Sequence, residues 1–182
     1  MNNKDLLKGK TILYIVHHYT SFQKDQIEEV SRYYKQVIVL VRYKPISNLA
    51  NLWNSKALNK YKEGNCIDTH KMPKNVKVLK TSVLYLPYGF FYIIGGFCHF
   101  LSALFVIKRF NLKFDIVHGH FLWSSGYVAM RLGKIFKKPV VVTGHGYDVY
   151  SLPFKNKIWR KYMTDVVSNA DKVITISGAN VD

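Results

Sequence analysis

The sequence predicts an α/β fold: a doubly wound, mostly parallel sheet with helices on both faces. Two observations lead to this prediction. Short β-branched runs alternate with segments of helical periodicity along most of the chain. The runs are nearly continuous in apolar residues, which is typical of parallel strands that are buried on both sides. Right-handed crossovers between such strands then place helices on both faces of one sheet.

Six segments carry the strand pattern, and three segments between them carry helical spacing. The predicted strands are 11–16, 37–41, 76–79, 114–118, 140–143 and 172–176. The predicted helices are 22–35, 125–136 and one that begins near Pro153 and continues to about residue 170. Proline suits the first turn of a helix because that position needs no N–H donor. Residues 44–75 lack clear periodicity, so we expect a long surface excursion with one short helix over 49–61.

A long segment without charge runs from Thr81 to Ile107. Its part after Pro87 is long enough for a membrane span, since about 20 helical residues cross a bilayer. A span here would separate the first three strands from the last three, so the predicted sheet excludes it. Two interpretations stay open: a helix buried against the sheet, or a helix that rests partly in a membrane interface.

Cationic residues favour the interfacial interpretation. The first half of the last predicted helix contains Lys155, Lys157, Arg160 and Lys161. Positive charges there oppose the helix dipole, which indicates an external anion such as an anionic membrane surface. We therefore predict that these four side chains face a membrane or another anion.

Length and composition limit the function classes. The 182 residues fit one domain, and the net charge of +16 favours anionic partners. No basic block with interleaved aromatic residues is present, so nucleic acid is not a predicted partner. The first ten residues lack the apolar core of a secretory signal, and the two cysteines form no CxxC motif. We expect a cytoplasmic protein, peripheral on the inner face of the membrane if the interfacial interpretation holds.

Five of the seven histidines lie at the carboxyl ends of predicted strands. His17 and His18 close the first strand, His118 and His120 close the fourth, and His145 follows the fifth. Ligands of open α/β sheets bind outside these ends, near the point where the strand order reverses. That point usually falls between the first and fourth strands. The histidines therefore predict a substrate site at this edge.

The segment VVVTGHGYDVY, residues 140–150, presents the most distinctive part of this edge. Gly144 and Gly146 let the backbone turn tightly and approach a ligand closely. Asp148 is near enough in sequence to orient the imidazole of His145 or to bind hydroxyl groups itself. We accordingly count both glycines and Asp148 among the substrate-binding residues.

Common nucleotide and nucleophile motifs do not occur in the chain. GxGxxG, GxxxxGK[ST] and GxSxG are all absent. The pair His118 and His120, with His17 or His18, has ligand types that suit a metal-dependent hydrolase, although no carboxylate stands at ligand spacing. That hydrolase, and a non-catalytic module that binds a membrane or a partner, are the alternatives to a transferase.

The stretch from Phe114 to Ser177 resembles the amino-terminal half of a GT-B glycosyltransferase of the retaining family four. FDIVHGHFLWSSGYVAMRLGKIFKKPVVVTGHGYDVY, followed by NADKVITIS, matches the family's order: an Asp-x-x-His-x-His strand end, a helix, a strand ending in His-Gly-x-Asp, and an Ala-Asp strand. TILYIVHHY and VIVLV fit more loosely. The loop Thr20-Ser21-Phe22-Gln23 holds no glycine where the family usually has two.

The resemblance implies two Rossmann-like domains that face each other across a cleft. Residues 1–182 would be the acceptor-binding domain, and a carboxyl-terminal domain outside this chain, from the same gene or a separate polypeptide, would bind the nucleotide-sugar. It implies that His145 is catalytic, that His120 and Asp148 help build its pocket, and that no cofactor or metal is needed. The acceptor would be a saccharide or lipid-linked, and the isolated half would be inactive. The donor's own phosphate is expected to act as base, with electrostatic stabilisation of the departing nucleotide.

Overall fold

The computed structural model describes residues 7–45, 63–83 and 90–176. These residues form one six-stranded parallel sheet in the order β3-β2-β1-β4-β5-β6. The strands are β1 (Thr11–Val16), β2 (Gln36–Tyr43), β3 (Val76–Ser82), β4 (Ile116–His120), β5 (Val140–Gly144) and β6 (Lys172–Thr175). The strand order reverses between β1 and β4, as the sequence predicts.

Helices connect these strands. They are α1 (Ser21–Ser31), α2 (Glu63–Cys66), α3 (Phe90–Arg109), α4 (Tyr127–Phe136), α5 (Gly146–Tyr150), α6 (Leu152–Lys155) and α7 (Lys157–Ser168). A short π-helical turn, Leu122–Gly126, joins β4 to α4. The predicted helix over 49–61 lies outside the described residues.

Alternate residues of the strands point into two cores, one on each face of the sheet. Leu13 and Ile15 of β1 belong to the core that also contains buried residues of α3, α4 and α7. Tyr14 and Val16 belong to the opposite core, where Ile27 of α1 packs. The doubly wound arrangement with helices on both faces is therefore confirmed.

Several predicted boundaries differ from the structure. The first helix ends at Ser31 rather than at residue 35, and β2 and β3 continue to Tyr43 and Ser82. The fourth strand is Ile116–His120 rather than residues 114–118, and just before it the Asp115 carboxylate accepts a hydrogen bond from the Thr11 N–H at 2.9 Å. The helix predicted from Pro153 is broken at Asn156. The Asn156 side chain accepts the Trp159 N–H at 3.0 Å and so caps a new helix, α7.

Trp123 fixes the turn after β4 between two helices. Its ring lies so close to Gly96 of α3 that a Cβ there would come within 2.3 Å of the indole. Its other side meets the Trp159 ring of α7 edge-on, with 4.9 Å between centroids. The turn that follows His120 is thereby held against both helices.

Helix α3 buries His99 together with apolar core residues on its inner side and exposes apolar residues on its outer side. His99 is fully buried, whereas Ile94, Phe97, Leu101 and Phe105 form an exposed stripe along one side. None of the described helices combines the length and apolar character that a membrane span requires. The helix thus packs on the sheet, as the first interpretation expects, and still leaves an apolar surface uncovered.

Candidate functional site

The carboxyl ends of β1, β4 and β5 lie side by side and bring the predicted histidines together. The ring centroids of His118 and His120 are 4.8 Å apart, and those of His120 and His145 are 5.8 Å apart. Strand pairing alone brings this about, because β4 is hydrogen-bonded to both β1 and β5. The prediction that separate segments meet at this edge holds for these residues.

The sheet nevertheless divides the cluster between its two faces. His118 and His120 share a face with Tyr14, whose ring lies 4.8 Å and 5.5 Å from theirs. His17 follows Leu13 and Ile15 in the alternation of β1 and so belongs to the other face. The site therefore wraps around the end of the sheet.

Phe121 connects the two sides. Its ring stacks on His17 at 4.9 Å and also lies 4.2 Å from the His145 ring. Its backbone has φ 75°, a left-handed conformation that is uncommon for an aromatic residue. The ring of Phe22, in the first turn of α1, lies 5.4 Å from the His145 ring on another side. Sequence analysis missed both aromatic residues.

Asp148 positions the backbone of the loop. One carboxylate oxygen accepts the His145 N–H at 2.9 Å, and the other accepts the N–H of Leu122. The carboxylate thus ties the start of α5 to the turn after β4. That Asp148 also orients the imidazole or binds hydroxyl groups stays a prediction. A histidine cap followed three residues later by an acid is the spacing of a capping box, and that signal was available in the sequence.

Two buried imidazoles at the edge have unused hydrogen-bonding atoms. His145 is only 6% exposed and its Nε2 has no partner in the described part of the chain. His120 is 0% exposed and neither of its ring nitrogens has a described partner. Buried polar atoms are almost always satisfied in native proteins, so these nitrogens indicate a missing ligand or water.

Burial keeps these histidines uncharged. It lowers the pKa of His118 to about 3 and that of His120 to about 4, and nearby histidines add to both effects. Burial also lowers the pKa of His145. His118 is satisfied by Thr143, with Nε2 and Oγ1 2.8 Å apart. A neutral imidazole has one donor and one acceptor, so His120 and His145 suit the hydroxyl groups of a sugar.

Burial raises the pKa of Asp148, whereas it lowers the pKa of the histidines. The pKa of Asp148 rises to about 6, although the backbone N–H groups of Leu122 and His145 act to lower it. Both carboxylate oxygens accept hydrogen bonds from these N–H groups. The aspartate therefore holds its loop without reacting.

A second network lies behind His17 on the α3 side. Ser124 donates its N–H to His17 Nε2 at 3.2 Å, and its Oγ is hydrogen-bonded to His99 Nδ1 at 2.9 Å. Arg42 Nη1 lies 3.4 Å from the same Oγ. His17 accepts through Nε2, and burial followed by the charge of Arg42 lowers its pKa well below the ordinary value. His99 is a functional candidate that was visible in the sequence only as one polar residue in an apolar segment.

The other predicted residues are distributed around this centre. His18 is exposed and lines a separate small cavity beside Arg42. Gly144 is buried, and an added Cβ would come within 2.9 Å of Val149. Nothing lies within 4 Å of a Cβ added to Gly146. Neither glycine has a left-handed φ, so the backbone here does not require glycine for that reason, and their role in binding stays a prediction.

The predicted cationic residues are all exposed. Lys155, Lys157, Arg160 and Lys161 lie on α6 and α7 around the exposed apolar side chains of Phe154 and Ile158. Lys155 Nζ is 5.3 Å from the Tyr147 ring, and the Arg160 guanidinium is 5.9 Å from the Phe154 ring. We call this surface the α6–α7 patch.

Two further features bear on function: possible metal ligands and a second cavity. In the described ranges, no three His, Cys, Asp or Glu side chains come together in a way that could hold a metal ion. A cavity of about 570 Å³ lies at the opposite edge of the sheet, between α4 and α7. Its lining includes Arg131, Lys134, Asp165 and Asp171 but no histidine. The unsatisfied imidazoles point to the histidine edge as the better candidate.

Comparison with known proteins agrees with this architecture. The model of the family described as Glycosyltransferase Family 4 matches residues 67–182, more than half of the chain. Arabidopsis thaliana UGT89C1, solved in complex with UDP, superimposes with a TM-score of 0.51 at 10% identity, over 93% of this chain and 45% of that one. Epimerase Mth375 from Methanothermobacter thermautotrophicus gives a TM-score of 0.46 at 13% identity, over 84% and 40%.

This chain spans less than half the length of either solved protein. No curated protein matches it significantly. At such low identity the likeness to UGT89C1 shows the fold alone, one Rossmann-like half of a GT-B arrangement, which confirms the predicted fold class. The family match goes further, and the chain belongs to Glycosyltransferase Family 4.

Proposed function

On the basis of this family membership, we propose that the chain is the acceptor-binding half of a retaining glycosyltransferase. It would move a sugar from a nucleotide-sugar to a saccharide or lipid-linked acceptor. A donor-binding domain, encoded in the same gene or on a separate polypeptide, would complete the site, and the 182 residues alone would not catalyse transfer. His145 supports this proposal most directly, because Asp148 holds its backbone N–H at a strand end and its Nε2 has no partner among the described residues.

The surrounding residues fit a site for sugar hydroxyl groups and a departing phosphate. Neutral His120 and His145 supply donors and acceptors without a charge that would bind nucleotide product too tightly. Phe22 and Phe121 provide apolar ring faces beside His145, and such faces exclude water from a reacting centre. In this proposal His145 stabilises the reacting centre through a hydrogen bond from its N–H, and the donor's phosphate takes the acceptor proton.

The test is a pair of histidine variants in the chain combined with its donor-binding domain. Loss of one preorganised donor to a developing charge lowers kcat by about 10²–10³. We expect His145→Ala to lose transfer to that extent while the circular dichroism spectrum and melting temperature stay close to those of the parent. The matched control is His70→Ala, which removes an exposed histidine before β3. Transfer by His145→Ala within a factor of three of the His70→Ala rate would remove His145 from the mechanism.

We also propose that the enzyme works at an anionic membrane surface. Two exposed apolar surfaces support this: the outer stripe of α3, where Phe105 is 61% exposed, and the α6–α7 patch, where Phe154 is 69% exposed. Both adjoin cations. Arg109 lies 6.0 Å from the rings of Phe105 and Phe110, and the α6–α7 patch contributes the four predicted cations. Apolar side chains among basic residues are the composition of interfacial membrane anchors.

Flotation with vesicles tests this second proposal. We expect the chain to float with vesicles of phosphatidylglycerol and phosphatidylcholine and to stay behind with phosphatidylcholine alone. Each Lys or Arg near an anionic surface contributes about 1 kcal/mol, so neutralising four of them should reduce binding by at least about 100-fold. The variant carries Lys155, Lys157, Arg160 and Lys161 changed to Gln.

The control for flotation removes four other exposed cations, by changing Lys35, Lys71, Lys74 and Lys134 to Gln. Its net charge equals that of the test variant. Equal flotation of the two variants would show that net charge alone drives binding. Equal recovery with both kinds of vesicle would end the proposal.

A further inference from the structure

His17 has one ring nitrogen that the protein engages and one that it leaves for a ligand. Its Nε2 accepts the Ser124 N–H at 3.2 Å, and no other hydrogen bond is described for its side chain. A neutral imidazole carries a proton on only one nitrogen, so an accepting Nε2 leaves that proton on Nδ1. Burial and the charge of Arg42 keep the ring neutral, because they lower its pKa well below the ordinary value. His17 therefore has a single donor, Nδ1–H.

Ser124 is itself held by helix α3. Its Oγ shares a hydrogen bond of 2.9 Å with Nδ1 of His99. Ser124 is 2% exposed and His99 is fully buried, so water does not compete for this contact. One turn before His99, Gly96 lies against the ring of Trp123, the residue that precedes Ser124. Helix α3 thus sets the direction of the Ser124 N–H.

Stacking and exposure place the His17 ring beside the histidine edge. Its ring stacks on Phe121 with 9° between the ring planes, and Phe121 contacts His145. His17 is partly exposed and lines the small cavity next to His18, which has a volume of about 60 Å³. A water molecule occupies about 30 Å³ in the liquid, so this cavity has room for one hydroxyl or hydroxymethyl group. A sugar hydroxyl seated there would lie beside the reacting centre.

We propose that His99 and Ser124 are positioning residues that hold His17 in its Nδ1–H tautomer, so that His17 donates one hydrogen bond to a hydroxyl oxygen of the acceptor. The identity of that substrate rests on the proposed glycosyl transfer, whereas the tautomer does not. A single neutral N–H binds an oxygen lone pair and offers nothing to an ammonium group. Acceptors with a hydroxyl group at this position are therefore preferred over those with an amine.

The tautomer is measured in the 182-residue chain, labelled at nitrogen, by NMR correlation of the ring nitrogens with the carbon-bound ring protons. We expect a pyrrole-type Nδ1 and a pyridine-type Nε2 for His17 near neutral pH. In Ser124→Ala the backbone N–H remains but loses its support, so the two nitrogen shifts should move toward each other. The control Ser102→Ala removes a partly exposed hydroxyl group from α3 and should leave the His17 shifts unchanged.

Kinetics of the chain combined with its donor-binding domain measure the contact with the acceptor. Loss of one hydrogen bond should raise the KM for the acceptor about threefold to tenfold in His17→Phe, with little change in kcat. Phenylalanine keeps a ring that stacks on Phe121. Ser124→Ala should raise the same KM, and Ser102→Ala should not. The double variant of His17→Phe with Ser124→Ala should have the KM of His17→Phe alone, because Ser124 acts through His17.

Three results would overturn the assignment. They are a His17 in the parent chain that is protonated on Nε2 or averaged between tautomers, an unchanged acceptor KM in His17→Phe, and effects of Ser124→Ala and His17→Phe that add up. If Ser124→Ala fails to fold, His99→Phe takes its place, because it removes the same contact and keeps a ring. The parent spectrum and His17→Phe decide the matter even without either of them.

Failure of this inference and failure of the proposed function give different results. Transfer that depends on His145 but is unaffected by His17→Phe would leave the proposed function standing and remove only the His17 contact. Absence of transfer in every variant and in the parent would remove the proposed function, while the spectrum of the 182-residue chain would still decide the tautomer.

Discussion

Replacing His120 with leucine should make the protein more stable, and increasingly so in acid. His120 is fully buried and both of its ring nitrogens lack a described partner. Leucine has a similar size and no polar atom to bury. An unsatisfied buried polar group costs about 1–3 kcal/mol. At pH 7 we therefore expect His120→Leu to raise the free energy of unfolding by about 1 kcal/mol.

The pKa of His120 sets how this gain depends on pH. Burial lowers that pKa to about 4, whereas an unfolded histidine has a value near 6.5. Between these values the unfolded chain binds a proton that the folded chain does not, so the wild-type chain loses stability as the pH falls. From pH 6.5 to pH 5 the loss is about 2 kcal/mol, at about 1.4 kcal/mol per pH unit. The leucine variant lacks this loss, so its advantage grows to about 3 kcal/mol at pH 5.

Asp148 has the opposite effect on the pH dependence of stability, but it does not affect the difference between wild type and His120→Leu. Its pKa is raised to about 6, so the stability it contributes is present at low pH and is lost as the pH rises through that value. Wild type and variant share this effect. The difference between them therefore isolates His120.

Urea denaturation at pH 7, 6 and 5 measures these free energies, with His70→Leu as an exposed control. The control should follow the wild-type pH dependence. A gap between His120→Leu and wild type that stays constant from pH 7 to pH 5 would refute the buried, neutral state of His120. A less stable variant at pH 7 would show that its nitrogens are satisfied after all. In the complete enzyme, His120→Leu should also lose activity. Residues of functional sites are often less stable than an apolar replacement would be.

Two other substitutions test how the edge is held. Gly96→Ala should lower stability by about 1–3 kcal/mol, because the new methyl group would overlap the Trp123 indole, whereas Gly64→Ala has free space and should not. Thermal melts of Gly96→Ala and Gly64→Ala measure the difference. Equal melting temperatures would contradict the close contact between Gly96 and the Trp123 ring. Asp148→Ala leaves two buried backbone N–H groups without their acceptor. Removal of the buried carboxylate charge offsets part of that cost. We therefore expect the free energy of unfolding in urea to fall by about 2 kcal/mol. The exposed Asp25→Ala serves as its control, and a loss no larger than in that control would show that the carboxylate does not hold the loop.

The centre of the sheet could be predicted because β1, β2, β4 and β5 are mostly buried and contain apolar runs, whereas the edge strands β3 and β6 are more exposed. The order of the central strands could also be predicted, because the first and fourth strands of such sheets usually lie side by side where the strand order reverses. The first and last residues of β4 could not be predicted from the sequence. Just before this strand, Asp115 contacts the Thr11 N–H, which joins residues 104 positions apart. Such a contact leaves no trace in local periodicity.

The candidate site was predictable in its residues and much less so in its geometry. Histidines at strand ends marked the edge, but their faces depend on register. Tyr14 pairs with His118, and this pairing sends both side chains to one face while His17 goes to the other. Phe121 could not be identified in advance, because its role comes from a left-handed backbone and from rings of two other strands.

Helix α3 shows most clearly where sequence reasoning ends. The sequence left open whether this apolar segment is buried or interfacial; in the structure His99 is buried while Phe105 is exposed. Two tertiary contacts decide this orientation. Gly96 must face Trp123, since any larger residue would overlap the indole, and His99 then reaches Ser124. Phe100 of the same helix packs into the core, whereas Phe97, Leu101 and Phe105 face outward. Exposure of so many apolar side chains is costly in water, and the proposed membrane surface would remove that cost.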